Sequence, residues 1–219
     1  CAPSCIGENL LGRDLQGATL RHSNFMEANL RGANLSNADL YDANFLGANL
    51  ASVNLQNANM KGAQLVGATL TKADLRGVQL GDTDLRGADL SQSDLTQADL
   101  TKVHLAGVTF TGAKLVEANL RGKNLAGVNF VNADLTGADL TGSDLSGSRL
   151  SGANLSGAQL TGANLAGSWL NLSNMTGVNL TEANLAGANL IGANLASANL
   201  SGSRLVDADL IGAHVNGAN

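Results

Sequence analysis

The stretch 183–200 repeats a five-residue unit: a small residue, a polar residue, a leucine and two variable residues. The same unit runs without insertion through almost the whole chain and places an apolar centre at every fifth position from Leu10 to Val215. The centres that are not leucine are Phe25, Phe45, Met60, Phe110, Phe130, Met175 and Val215. An internal period this short predicts one array that grows by stacking.

A period of five excludes both ordinary secondary structures. In a helix, which advances about 100° per residue, a leucine at every fifth position would drift around all sides. In a straight strand, centres five apart would alternate between the two faces. Both objections disappear if the chain turns a corner once per unit, because every centre and the small residue two positions before it then point inward.

The residue two positions after each centre supplies that corner. It is Gly in most units and Asn in several, and both suit the second central residue of a type II turn, which has positive φ. Unusual centres recur twenty residues apart, as in Phe25 with Phe45 and Phe110 with Phe130. Twenty residues per coil predict four faces per coil. Asn columns such as 154, 174 and 194, or 164 and 184, are expected to form amide ladders.

The unit Ala-(Asp/Asn)-Leu-x-x, as in Ala183-Asn184-Leu185, resembles the motif of the pentapeptide-repeat proteins. The resemblance covers 10–219 and implies an all-β fold, a right-handed quadrilateral parallel β-helix, here of about ten coils. We therefore expect a β-helix domain over 10–219 and an N-terminal cap over 1–9, which holds the only proline, Pro3. Leu-rich arrays of this kind are similar to cyanobacterial and plastid members. The resemblance thus favours export, to the periplasm or thylakoid lumen, over the cytoplasm.

Composition and patterning argue against several functions. The formal charge of −5 provides no basic patch for a phosphate backbone, so we expect no nucleic-acid binding. A polar residue or Gly returns every few positions, which excludes a membrane-spanning helix. The histidines His22, His104 and His214 fall on coils far apart, which excludes a shared metal or a catalytic pair. We expect a protein that is not an enzyme and has no cofactor.

One acidic cluster offers an alternative function. Four aspartates fall on successive faces of one predicted coil: Asp84, Asp89, Asp94 and Asp99. The resemblance implies that such a protein could mimic DNA and inhibit or protect a type II topoisomerase such as DNA gyrase. However, these aspartates form a ring around one coil, whereas mimicry of DNA requires a negative stripe along the rod. Arg76 and Arg86 also reduce the negative charge of the ring. The chain also has neither the loop insertions nor the Phe-rich centres of the topoisomerase-protecting members.

The strongest surface anomaly is apolar. Trp169 stands where Asn or Asp is usual, and Leu172 stands where Gly is usual. Ile191 and Ile211 follow the centres of the next two coils in one column. Large exposed apolar patches mark contacts, and Trp is a common anchor. These four residues are the candidate contact with a protein partner of unknown identity, and the predicted function is a rigid protein–protein interaction scaffold.

A weaker apolar strip lies at the other end of the chain. It comprises Met26, Leu46 and Val66, and beside it a second column holds Arg21, Tyr41 and Lys61. Stacked cation–aromatic contact is expected in that second column.

Three further features leave alternatives open. The motif runs to Asn219 without a cap, so we expect either a removed C-terminal segment or an end-to-end homodimer through the uncapped C-terminal coil. Cys1 and Cys5 are free, disulfide-bonded or, for Cys1, lipid-modified. Lys123 occupies an inward small position, which predicts a widened coil or a side chain that reaches solvent.

Overall fold

The structure of the protein is a computed structural model, which describes residues 4–219. It comprises two compact units, Cys1–Thr109 and Phe110–Asn219, which are built in the same way. At twenty residues per coil, each unit holds about five coils. Among residues 4–219 there is no helix with the length and apolarity needed to cross a membrane.

Each coil has four short faces, and within each unit almost every face pairs with the face twenty residues later through a single parallel β-bridge. These bridges run from Ser4 to Thr109 in the first unit and from Lys114 to His214 in the second. The described residues contain no helix and no longer strand, because the chain turns again after every third residue. The predicted coil of twenty residues and four faces is confirmed.

Backbone hydrogen bonds join the coils at each face. The Leu30 N–H donates to the Asn49 carbonyl oxygen at 2.7 Å, and the Asn49 N–H donates back to the Ala28 oxygen at 2.9 Å. A third bond joins the corners, as from the Gly47 N–H to the Val66 oxygen at 3.0 Å. The ladder therefore satisfies backbone groups that the thin core would otherwise leave unpaired.

The corners are the predicted turns. The Ala33 N–H donates to the Leu30 oxygen at 3.0 Å and closes a turn in which Gly32 has φ 65°. Positive φ at this position is confirmed, but glycine is not required for it. Among residues 4–219, sixteen non-glycine residues adopt the same conformation, including Leu172 with φ 59°.

The core of each unit consists of stacked columns of centres and small residues. Leu30, Leu50 and most equivalent centres are fully buried, as are Ala28 and Ala48 two positions before them, while the centres of the terminal coils are partly exposed. Burying one leucine contributes about 1.5–3 kcal/mol, and the array repeats this gain on every face. The paired phenylalanines stack nearly parallel: ring centroids lie 5.0 Å apart for Phe25 and Phe45, and 5.3 Å apart for Phe110 and Phe130.

The repeat conformation begins earlier than the boundary predicted at residue 10. Cys5 is buried in the place of a centre, Ser4 bridges to Asn24, and Gly7 turns a corner with φ 64°. The described part of the predicted cap, 4–9, is therefore built like the coils. The sequence hid this unit because Cys5 replaces the leucine and Glu8 replaces the next small residue. Cys5 is disulfide-bonded. The predictions for Cys1 and Pro3 concern residues outside the described part of the chain.

Candidate functional site

The polar residue before each centre has a structural task that bears on the site. Its side chain caps the next corner, as when Asn174 Oδ1 accepts from the Thr176 N–H at 3.2 Å. Its amide also bonds the preceding coil, as from Asn174 Nδ2 to Asn154 Oδ1 at 2.9 Å. The predicted ladder is confirmed there and between Asn164 and Asn184, where the same distance is found. The ladder of Asn154 and Asn174 does not continue to Asn194. Its Nδ2 atom instead donates to the Thr176 hydroxyl at 2.9 Å.

Trp169 stands in one of these polar positions and can perform neither task. Its backbone nevertheless keeps the ladder, since its N–H donates to the Ser148 oxygen at 2.9 Å and its carbonyl accepts from the Leu150 N–H at 2.7 Å. It bridges to Arg149 on one side and Asn189 on the other. The indole is 56% exposed although the backbone is fixed. A large aromatic group is thus held at the surface of a rigid face.

Leu172, Ile191 and Ile211 share the corner that follows the face of Trp169. The Leu172 N–H donates to the Ile191 oxygen at 2.9 Å, and the Gly192 N–H donates to the Ile211 oxygen at the same distance. Leu172 and Ile211 are 70% and 72% exposed, and Ile191 is also exposed. The Leu172 Cδ2 atom lies over Gly192, 3.0 Å from where a Cβ atom would stand. A Cβ atom at 192 would make a tight contact that requires the exposed end of Leu172 to shift by a few tenths of an ångström.

The second unit therefore brings the four predicted contact residues together. We call Trp169, Leu172, Ile191 and Ile211 the Trp169 patch. Ile191 lies two residues after Asn189, the bridge partner of Trp169, so the aromatic and aliphatic side chains occupy adjoining positions on neighbouring coils. That this surface binds a partner stays a prediction.

The first unit carries an apolar column that is longer than the sequence suggested. The Gly7 N–H donates to the Met26 oxygen and the Glu27 N–H to the Leu46 oxygen, which places Ile6, Met26 and Leu46 one above another. Val66 continues the column, since its oxygen accepts from the Gly47 N–H. Ile6, 52% exposed, was missed because its unit was assigned to a cap. Extending the five-residue register back by one unit would have found it.

The neighbouring column contains the expected cation–aromatic contact. The Arg21 guanidinium carbon lies 4.4 Å from the centroid of the Tyr41 ring, and Arg21 Nη1 lies 3.1 Å from Asp39 Oδ2. His22 contacts the same ring edge-on, with centroids 5.7 Å apart. His22 Nδ1 also lies 3.7 Å from Asp42 Oδ2, so these contacts tie neighbouring coils together.

The acidic cluster of the first unit is partly neutralised. Arg86 Nη2 lies 2.6 Å from Asp84 Oδ2, and Arg76 Nη2 lies 2.6 Å from Asp74 Oδ2. Hydrogen bonding to Arg86 holds the pKa of the Asp84 carboxyl below its ordinary value of 3.8, and Arg76 does the same for the pKa of Asp74. The local negative field is therefore weaker than the count of aspartates implies.

The structure does not bring the remaining candidate site residues together. His22 and His104 lie in the first unit on coils far apart in sequence, and His214 lies in the second. Within residues 4–219, no three His, Cys, Asp or Glu side chains form a group that could hold a metal ion. Lys123 is half-buried in its inward position, and burial lowers the pKa of its ammonium.

The fold places the protein among the parallel β-helices, in the class of solenoid repeat proteins. The sequence model described as pentapeptide repeats matches in eight copies, with matched ranges at 14–47, 48–87, 83–122, 124–157, 138–177, 158–195 and 188–219. The chain belongs to the pentapeptide-repeat family. Its fold is the right-handed quadrilateral β-helix that defines these proteins.

Solved structures similar to this chain include pentapeptide-repeat proteins, but their superpositions on it are loose. HetL from the cyanobacterium Nostoc sp. strain PCC 7120, a protein involved in heterocyst differentiation regulation, is 32% identical; the match covers 94% of this chain and 84% of HetL, with a TM-score of 0.38. The thylakoid-lumen protein AT2G44920 of Arabidopsis thaliana is also 32% identical, over 47% of this chain and 68% of its own, with a TM-score of 0.19.

QnrB1, a plasmid-mediated fluoroquinolone resistance protein, is 18% identical over 99% of this chain and 86% of its own, with a TM-score of 0.42. Comparison with curated proteins finds no match. Because all three superpositions are loose, membership of the family rests on the repeats themselves.

Proposed function

We propose that this protein is a non-enzymatic interaction scaffold and that the Trp169 patch is its docking surface for another protein. The observation that carries the proposal is the exposure of four large apolar side chains at adjoining positions of neighbouring coils in the second unit. Elsewhere in the repeat, the positions of Trp169 and Leu172 hold small or polar residues, whereas the position of Ile191 and Ile211 is apolar in several other units, as at Ile6 and Leu46. A departure this concentrated is a specific feature of the surface.

The physical character of the patch suits a protein contact. Interfaces are anchored by a few large residues, Trp foremost, surrounded by a polar rim. Arg149 and Asp209 stand in the same outward column as Trp169 and provide such a rim. The backbone ladder fixes these positions before binding, so little ordering entropy is lost on association.

The test compares binding partners captured by the chain and by a variant that restores the repeat. Trp169→Asn with Leu172→Gly removes the anchor while keeping residues that the fold uses at the same positions. Leu11→Arg is the matched control, because Leu11 is an exposed leucine in the first unit and Arg31 stands one coil further along. A partner captured by the original chain and the control, but not by the double variant, supports the proposal. Equal capture by all three contradicts it.

Mimicry of DNA toward a type II topoisomerase is the alternative, and it has less support. The ion pairs of Asp74 and Asp84 with arginines reduce the negative field that such mimicry needs. The alternative is tested by adding the protein to a gyrase supercoiling reaction. Dose-dependent inhibition that survives the loss of Trp169 and Leu172 would favour the alternative over the scaffold.

We also propose that the protein works in an oxidising compartment. The disulfide-bonded state of Cys5 supports this, since structural disulfides persist outside reducing cytosol. Mass spectrometry of the protein from its native source, alkylated without reduction, checks the proposal. An alkylated Cys5 would contradict it. The predicted homodimer stays a prediction, to be checked by light scattering across a range of concentrations.

A further inference from the structure

The ladder of the first unit is interrupted at one face. Asp74 and Asp84 each bridge to the residue twenty positions later, but within residues 4–109 Gln79 forms no bridge to Asp99. The Leu75 N–H donates to the carbonyl nineteen residues later, as the Leu85 N–H does. For the Leu80 N–H, between them, no backbone acceptor is found among the described residues. Leu80 is only 4% exposed, so this donor lies in the wall of the coil without the usual partner.

Two local features accompany the interruption. Lys102 stands at a corner position, yet among the described corners from Gly7 to Gly217 it alone lacks positive φ. Val78 fills an inward position that is Ala in most units. Between the two segments lies a cavity of about 350 Å³, lined by Leu80, Gly81 and Lys102 among others. The two coils are therefore separated where the bridge would have joined them.

Two lysines and one aspartate line the cavity, so its lining has a positive balance although the chain has a net charge of −5. Lys61 and Lys102 both line it, and neither has a carboxylate within 4.0 Å among the residues that the structure describes. Asp99 also lines the cavity, but its Oδ1 atom accepts from the Thr101 N–H at 3.0 Å and from the Thr101 hydroxyl at 2.7 Å. Two lysines, one aspartate and the residue whose N–H has lost its usual backbone acceptor thus line the same space.

We infer that this cavity, between Leu80 and Lys102 in the first unit, binds the oxyanion group of a small carboxylate or phosphate ligand. The ligand oxygen accepts from the Leu80 N–H in place of the missing carbonyl, and the ammonium groups of Lys61 and Lys102 neutralise its charge. Charge-assisted hydrogen bonds of this kind are about twice as strong as neutral ones, and the partly enclosed cavity reduces their screening by water. The site is separate from the Trp169 patch and does not depend on the proposed function.

The test is a titration of the full chain at constant ionic strength, with inorganic phosphate in one arm and acetate in the other. The readout is the amide chemical shift of Leu80, which reports on the donor itself. Lys61→Gln and Lys102→Gln each remove one charge at an exposed side chain. Lys72→Gln is the matched control, since Lys72 is a corner lysine of the first unit that does not line the cavity.

A second variant tests the cavity without changing charge. Gly81 does not have positive φ, and a Cβ atom there would make only ordinary contact, 3.6 Å from Lys61 Cγ. Gly81→Thr introduces the residue that stands at the equivalent position one coil later, Thr101. The larger side chain reduces the space for a ligand in the cavity.

We expect a saturable shift of the Leu80 amide that weakens at least fivefold in each cavity lysine variant and in Gly81→Thr, but not in Lys72→Gln. The arm with the tighter binding identifies the ligand as a phosphate or a carboxylate. A shift that does not saturate, or that is equal in all variants, would mean an adventitious ion only and would overturn the inference.

Discussion

At the scale of single residues, the repeat makes departures from consensus informative. Corner positions impose positive φ on every described occupant except Lys102, and a leucine there is strained, because its Cβ atom crowds the backbone. Leu172 accepts that strain while exposing 70% of its surface. The sequence predicted both the corner and the anomaly. It could not show that Leu172 lies over Gly192, because that contact depends on the register between coils.

Replacing Leu172 with Gly should stabilise the second unit. Relief of the left-handed strain is expected to gain about 1 kcal/mol, which exceeds the loss of an exposed contact. For a chain of this length, that corresponds to a rise of about 2–4 °C in Tm, measurable by calorimetry. Leu46→Gly is the control, because Leu46 lacks positive φ and its change should lower Tm. A fall in Tm for Leu172→Gly would show that the leucine is needed for folding.

The ion pair of Asp84 predicts acid sensitivity. Arg86 keeps the folded-state pKa of Asp84 below the ordinary value of 3.8, so the pair stabilises the protein above that value and the contribution is lost as pH falls through the folded pKa. Urea unfolding midpoints measured between pH 6 and pH 2 should fall less steeply in Asp84→Asn than in the original chain. Asp82→Asn, at an exposed corner of the same coil, is the matched control, because no ion pair of Asp82 is found among residues 4–219. Identical slopes for the original chain and Asp84→Asn would contradict the assignment.

At the scale of the face and the coil, regular stacking explains most of the fold. The period, the inward centres and the small residues before them follow from simple volume limits, which is why Phe25 and Phe45 could be paired from sequence. The missing β-bridge between Gln79 and Asp99, in contrast, could not be predicted from the sequence. The missing bridge accompanies several small differences in adjacent coils, among them Val78 and the turn at Lys102. No single residue in the sequence indicates that the bridge is absent. Cys5 was missed for a similar reason, since its unit lacks both leucine and a small neighbour.

The phenylalanine stack offers a test of this packing. Phe45→Ala should destabilise the first unit by about 3–5 kcal/mol, because it leaves a cavity against Phe25 that the rigid coils cannot close. Phe45→Leu should cost less than about 1.5 kcal/mol, since Leu65 occupies the same column one coil later. Urea unfolding compares the two variants. Nearly equal losses would show that the column tolerates empty space, contrary to the packing described.

At the scale of the whole molecule, both units use one coil geometry, so the fold itself does not select a function. Backbone and core are nearly uniform, and what differs from coil to coil is the outward side chains. The sequence therefore predicted the architecture, which follows from the regular repeat. It also predicted the exposed residues of the Trp169 patch, because they depart from the consensus of that repeat. The identity of the partner is not written there, because it depends on a complementary surface on another molecule.

The most direct test of the interaction account is an affinity measurement on the captured partner. Calorimetric titration with the original chain, Trp169→Asn with Leu172→Gly, and Leu11→Arg gives three dissociation constants. We expect the double variant to bind at least thirtyfold more weakly, a loss of about 2 kcal/mol typical of a buried Trp anchor, and the control to bind like the original. Equal affinities for all three proteins would contradict the claim that the Trp169 patch is the docking surface.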